Sequence, residues 1–286
     1  MPRTVWYPGH MAKGSRKLLE IISKLDVVIE VRDSRAPSST SSPMIKSLAK
    51  IKPLIRVLSR KDLADSQKLS LWLNALKFSY SADLRKREGL NNIRRAIMKF
   101  KPPHREVRLA VIGIPNVGKS LLLNLLAGKS SADVGNIPGV TKSVSWYRNS
   151  EMLIVDSPGI LDPHAEAGAH LILSWLGCAK AEVVGGWENA ALSLISFLTQ
   201  KDMTSLIPVE PDEIPAVTLE LIGRKYGCLI SGGRVNTELA GQKFIEAFSS
   251  GRLGKFCLEV PDGERAVDFH DETTDISRGF DIAPSR

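Results

Sequence analysis

The sequence predicts an α/β fold: a doubly wound, mostly parallel sheet followed by a smaller helical domain. Two observations predict it. Short β-branched runs alternate with amphipathic helical stretches through the first half of the chain. One strand–helix junction, Gly113-Ile-Pro-Asn-Val-Gly118-Lys119-Ser120, has the G-x-x-x-x-G-K-[ST] spacing of a phosphate-binding loop. A third observation sets the order of the parts. As many as 112 residues precede that loop, and motifs expected after it lie in front, which describes a circularly permuted domain.

The elements follow in order. Residues 12–24 read as a helix with Leu18, Leu19, Ile21 and Ile22 on one face. Residues 26–32 are a buried strand, Pro37 and the serines 38–42 a loop, and residues 53–58 a second strand. A helix spans about 65–76, a third strand 76–80, and a helix 91–100. Residues 101–105 form a connector, residues 107–112 a fourth strand, and Ser120 opens the helix after the loop. Residues 144–147 and 152–155 pair across a turn at Asn149-Ser150. Beyond Asp162-Pro163 the helical runs are 190–198, 215–226 and 237–249, and the end is polar and acidic. The division is therefore 1–162, 163–258 and a tail, 259–286, expected to be mobile.

Composition narrows the function classes. Three widely spaced cysteines, Cys178, Cys228 and Cys257, exclude a disulfide framework and offer no zinc spacing. No apolar run approaches the ~18 residues of a membrane span, and Met1 to His10 lacks the apolar core of a signal peptide. Residues 1–160 hold 28 Lys and Arg against 12 Asp and Glu, a net of +16, whereas residues 161–286 hold 11 against 19, a net of −8. A basic half of that size points to a polyanion, nucleic acid first among them.

The loop's glycines admit backbone N–H groups to the phosphates, and the helix start adds its dipole. Lys119 should reach the β- and γ-phosphates, with Asn116, Val117, Gly118 and Ser120 around them and Ser120 on Mg²⁺. Asp156 ends a strand, placed for Mg²⁺ through water, and the Gly159 N–H can meet a γ-phosphate. Thr141, in Pro138-Gly-Val-Thr141, could close over the same ion. Base recognition falls before the loop. Ser59-Arg60-Lys61-Asp62 is a degenerate N-K-x-D, whose Asp62 would accept from a guanine's N1 and N2 groups. Ser81-Ala82 ends the next strand, placed for the guanine O6. The order is base, base, phosphate, switch, switch.

The chain resembles the YlqF/RbgA-type circularly permuted GTPases of large ribosomal subunit assembly. Trp6-Tyr-Pro-Gly-His-Met-Ala-Lys13, Glu30-Val-Arg-Asp-Ser-Arg-Ala-Pro37, the permuted motifs, and Ile222-Gly-Arg-Lys-Tyr-Gly227 with Ser231-Gly-Gly233 carry the resemblance over about residues 5–260. It implies GTP hydrolysis coupled to binding a pre-50S particle through rRNA, in the cytoplasm or, in a eukaryote, the mitochondrial matrix, by a monomer; the alternative is a nucleotide-gated RNA- or ribosome-binding module with little or no hydrolysis. Ile160 stands where many GTPases orient water with glutamine; in similar proteins the histidine matching His10 serves instead. The alternatives for His10 are shaping its turn and contacting RNA. Asn116 corresponds to an asparagine that holds K⁺ beside the phosphates. Two departures stand out. Ser59 replaces asparagine, which implies a lost contact to base or P-loop and weaker GTP binding, while the Arg60 stem can stack on the base. Leu121 replaces a hydroxyl residue, removing one α-phosphate contact.

Overall fold

The computed structural model describes residue 16 and residues 18–128, 132–133, 146–156 and 167–261. Its centre is a seven-stranded sheet in the order β3-β2-β1-β4-β7-β6-β5. The strands are β1 (Val27–Asp33), β2 (Leu54–Ser59), β3 (Ser79–Ala82), β4 (Val107–Ile112), β5 (Ala132–Asp133), β6 (Trp146–Arg148) and β7 (Met152–Asp156). The first five in that order are parallel, and β6 and β5 continue the sheet antiparallel. Every residue of β1 is buried, as expected of a strand covered on both faces.

Register sets the site. Asp33 pairs with Ser59, and Ser59 with Ala82, so three strands end level with one another at their carboxyl ends. Ligands in open parallel sheets bind beyond that edge. β3 begins three residues later than the sequence predicts. The Leu76 N–H still closes the last turn on the Trp72 carbonyl, and Phe78 then takes a left-handed φ of 52° before the strand starts.

Residues 18–21 are helical, and after them come α1 (Ile45–Ala49), α2 (Ser66–Ala75), α3 (Leu90–Met98), α4 (Lys119–Ala127), α5 (Ala167–Trp175), α6 (Trp187–Gln200), α7 (Pro215–Lys225) and α8 (Thr237–Ser249). Asp65 caps α2 through the Lys68 N–H, and Asn236 caps α8 through the Leu239 N–H. The sequence reading missed α1, a single turn following Pro43, and α5. It also started α6 three residues late. The first turn of α6 is secured from outside, because the Glu238 carboxylate of α8 accepts from the Trp187 and Glu188 N–H groups at 2.8 and 2.9 Å.

The helical part shares its core with the sheet. Leu194, Phe244 and Phe248 belong to one buried apolar cluster with Val31, Val111 and Ile154. The chain then straps back across the sheet domain. The Phe256 N–H donates to the Leu63 carbonyl, and the Leu258 N–H to that of Arg35. Glu259 accepts from the backbone of Ser38 and Ser39 and from the Ser39 hydroxyl. Glu259, assigned by sequence to a mobile tail, is thus anchored; residues 262–286 lie outside the described residues.

A buried ion network crosses this junction. The Asp33 carboxylate, fully buried at the end of β1, accepts from Arg35 Nε at 2.9 Å and Nη2 at 2.8 Å. The paired arginines hold its pKa below the usual range, although burial alone would raise it. Arg35 also donates Nη1 to the Ser249 carbonyl at 2.6 Å and lies over the Phe256 ring. Removing one member of such a pair leaves a desolvated charge. Arg35→Met should therefore lower unfolding free energy by about 3 kcal/mol or more, read from urea denaturation; a loss below about 1 kcal/mol would contradict this account.

Candidate nucleotide site

The P-loop joins β4 to α4 under tight steric limits. Gly113 adopts φ +151°, and a Cβ there would sit 2.5 Å from the Val31 carbonyl oxygen. Gly118, at φ +101°, caps α4. Both positions demand glycine, which lets the backbone present its N–H groups. Lys119 is nearly buried, and its Nζ donates to the Ile114 carbonyl at 2.7 Å.

Beside this loop lies a cleft of about 580 Å³. The P-loop residues Asn116 to Leu121 form one wall, and Ser59, Arg60 and Asp62 from the end of β2 form another. The phosphate motif and the upstream base motif therefore share one cavity. Lys61 is turned to an ion pair with Glu88 at 2.8 Å and does not line the cleft. After β3, Asp83, Leu84 and Arg85 form the wall, where Ser81 and Ala82 were expected. The buried Asp83 carboxylate fixes this turn by accepting from the Arg85 and Lys86 N–H groups at 3.0 and 3.2 Å. His10, Thr141 and Gly159 lie outside the described residues.

Ser59 corrects an expectation. Its hydroxyl donates to the Val117 carbonyl of the P-loop at 2.6 Å, so the shorter side chain keeps the tie between base motif and P-loop. The register places Ser59 beside Asp33 on the sheet's edge, close enough that serine suffices. Arg60 departs further. Its guanidinium meets Asp33 at 3.3 Å and the Asn116 carbonyl at 2.6 Å. Its head is engaged with the protein, and its stem alone remains for a base. Asn116 is left-handed (φ 61°) and donates Nδ2 to the Gly177 carbonyl at 3.0 Å, which leaves its Oδ1 as an acceptor. Leu121 presents an exposed apolar side chain to the cleft.

Sequence reasoning missed part of the wall altogether. Leu176 and Gly177 follow α5, and Ser249 and Ser250 end α8. No local signal marks them; they arrive because the helical part folds back onto the sheet.

The 50S ribosome-binding GTPase family model matches residues 108–205. Ribosome biogenesis GTPase A of Bacillus cereus is 33% identical over 292 residues, covering 92% of this chain and 96% of its own. The chain belongs to the ribosome biogenesis GTPase A family. It is a circularly permuted GTPase, and its family acts in ribosome biogenesis. Mouse mitochondrial ribosome-associated GTPase 1 is 30% identical over 293 residues, with 89% of each chain covered. YlqF of T. maritima in its GNP-bound crystal structure shares the fold, with a TM-score of 0.67 and 24% identity over 87% of this chain and 99% of that one.

Electrostatics bear on how this GTPase takes a phosphate. Burial pushes the Lys119 ammonium down to about 8, with Asp156 opposing. Burial raises the Asp156 carboxyl, and Lys119 opposes in turn. A bound phosphate favours the charged amine, so the Lys119 pKa rises on binding. The protonated form predominates below pH 8, and above it binding must take up a proton. GTP affinity should fall as pH rises through 8, by as much as about tenfold per unit. Titration calorimetry in two buffers of unlike ionisation heat reads this uptake; an affinity flat from pH 7 to 9 contradicts it.

Proposed function

We propose that this GTPase binds late large-subunit assembly particles and hydrolyses GTP to GDP and phosphate as they mature. One observation carries the nucleotide part: the P-loop and Asp62 face a single cleft although the chain reaches them in permuted order. The particle is proposed from the family's description as 50S ribosome-binding and from the names of the relatives. The basic half of the chain is in keeping with an rRNA partner.

Within the cleft, Asp62 accepts from the guanine N1 and N2 groups, with the Arg60 stem against the base and the turn that follows Ser81-Ala82 near its O6. Lys119 leaves the Ile114 carbonyl for the β- and γ-phosphates. Ser120 and Asp156, with Thr141, would hold Mg²⁺. Hydroxyl and carboxylate oxygens suit that hard ion, which usually takes few protein ligands beside phosphates and water. Mg²⁺ supplies charge neutralisation on the phosphates. Asn116 Oδ1 suits K⁺ in the same way. The Gly159 N–H meets the γ-phosphate, and His10 orients the attacking water, since Ile160 cannot. The protein works as a monomer in the cytoplasm, or in the mitochondrial matrix of a eukaryote; no helix of the described residues is long and apolar enough to cross a membrane.

Two measurements test this reading. GTP turnover should rise when large subunits are added and should be faster in K⁺ than in Na⁺. His10→Ala should lower turnover about 100-fold, within the range of a lost acid–base group, with nucleotide affinity kept. Turnover unmoved by subunits would remove the ribosomal role; equal rates in the two salts would remove the K⁺ site. Separately, Asp62→Asn should shift preference from GTP toward xanthosine triphosphate, whose 2-oxo group accepts a hydrogen bond that asparagine can donate. An unchanged preference would remove Asp62 from base recognition.

A further inference from the structure

On the helical part, Arg224, Lys225, Arg234 and Lys243 are candidate RNA contacts. Two of those are occupied. Lys225 Nζ donates to the Pro208 carbonyl, and Lys243 Nζ to that of Tyr226. Exposed positive charge also lies on the sheet domain, along α3.

That helix buries Leu90, Ile93, Ala96 and Ile97 against the sheet. Its outer face carries Asn91, Arg95 and Lys99, four residues apart and all exposed, so they stand in one row a turn apart. Two hollows of about 620 and 510 Å³ flank this face. Both are lined by Asn91 and Arg94, so the two hollows adjoin along the helix. Arg94 is half-buried and donates to the Leu125 and Leu126 carbonyls, forming a fixed floor. Arg87 enters at one end, and Glu151 is the one acidic side chain lining either hollow. Among the described residues, Arg87, Arg95 and Lys99 have no side-chain hydrogen bond or ion pair.

We infer that this groove along α3 is the surface that binds RNA. The inference rests on the ribosomal reading above and locates its contact face. A row of unneutralised cations over amide side chains suits a phosphodiester backbone, since arginine and lysine neutralise phosphates while asparagines donate to them. A groove with a fixed floor suits a structured strand better than a flexible acidic peptide. The surface also lies close to the nucleotide in the chain. Asp83, Leu84 and Arg85 line the nucleotide cleft, and Arg87, two residues on, lines the groove. RNA seated there bears on the turn that closes the base side of the cleft.

The test uses the full-length protein with GTP and three probes: purified large subunits, an RNA duplex of about 16 base pairs, and phosphatidylserine vesicles. Arg95→Glu with Lys99→Glu is compared with the control Lys180→Glu with Lys201→Glu. The control makes the same charge change on the helical part, where both lysines are exposed. The groove variant should bind duplex and subunits at least about tenfold more weakly, and its log–log salt slope should fall by about two. The control should bind like the wild type, and both variants should keep wild-type melting temperature and GTP affinity. Equal losses in groove variant and control, or no loss in the groove variant, would overturn the surface while leaving the ribosomal reading intact. Binding to vesicles in place of RNA would overturn it in favour of a membrane. A wild type that binds neither subunits nor duplex would overturn both readings.

Discussion

Everything around the nucleotide cleft hangs on one buried carboxylate. Asp33 ends the central strand with no access to solvent and would be untenable as a charge without its arginines. Arg35 answers it from two residues away and then reaches α8, while Arg60 answers it from the end of β2 and then reaches the P-loop. One anion thereby fixes three things relative to each other: the base motif, the phosphate loop and the end of the helical part. The pattern Glu30-Val-Arg-Asp-Ser-Arg-Ala-Pro37 makes physical sense in these terms. Glu30 and Arg32 form a second buried pair at 2.7 Å on the same strand. Alternate residues of a strand face one way, so Glu30 and Arg32 share one face of β1, and Asp33 ends the strand on the other.

Much of this was legible in the residues. The β-branched runs at 27–33, 54–59 and 107–112 are strands because buried parallel strands need no polar alternation. The P-loop was legible because its glycines and lysine have few structural alternatives between a strand and a helix. The proposed base motif, Ser59 to Asp62, stands in the sequence only as a short degenerate pattern, and the weak points of that reading are informative. Ser59 looks like a loss on paper, yet its neighbour across the ladder brings the P-loop carbonyl within its reach. Arg60 looks like a substitute for a lysine stem, yet its guanidinium is drawn to an aspartate 27 residues earlier in the chain. Spacing within a motif says nothing of partners supplied by another strand. The same holds for Ser249 and Ser250, which reach the cleft through α8's packing and have no motif of their own, and for Glu259, whose polar surroundings in sequence hide its three serine-derived donors.

The helical part is therefore no appendage to the nucleotide cleft. Gly177 receives the Asn116 amide, and the Leu176 carbonyl meets Arg60 at 3.4 Å. A change in the P-loop shifts atoms that the turn after α5 is bonded to, while Arg35 connects Asp33 to the last turn of α8. Two separate routes thus join the cleft to the helices, one through Asn116 and one through Asp33. A third tie, the strap ending at Glu259, crosses the loop beyond Asp33. Whatever the helices touch is mechanically bound to the state of the phosphate loop by hydrogen bonds of ordinary length.

The strand order carries a consequence for how the chain is made. β1 sits between β2 and β4, and β4 is synthesised 73 residues after β1 ends. β3 is complete before the 24 residues that precede β4 are made, so at roughly 5–20 residues per second the growing chain holds β3, β2 and β1 for about 1–5 seconds with one flank of β1 unpaired. That flank belongs to a strand buried along its whole length and is a template for any passing strand. Asp33 and Arg35 are present throughout this interval, and so is Arg60, so the charged cluster can assemble before the phosphate loop exists. Birth order thus makes the edge that carries Ser59 to Asp62 first and the P-loop second, and the nascent chain must shelter an open sheet edge until residue 107 emerges.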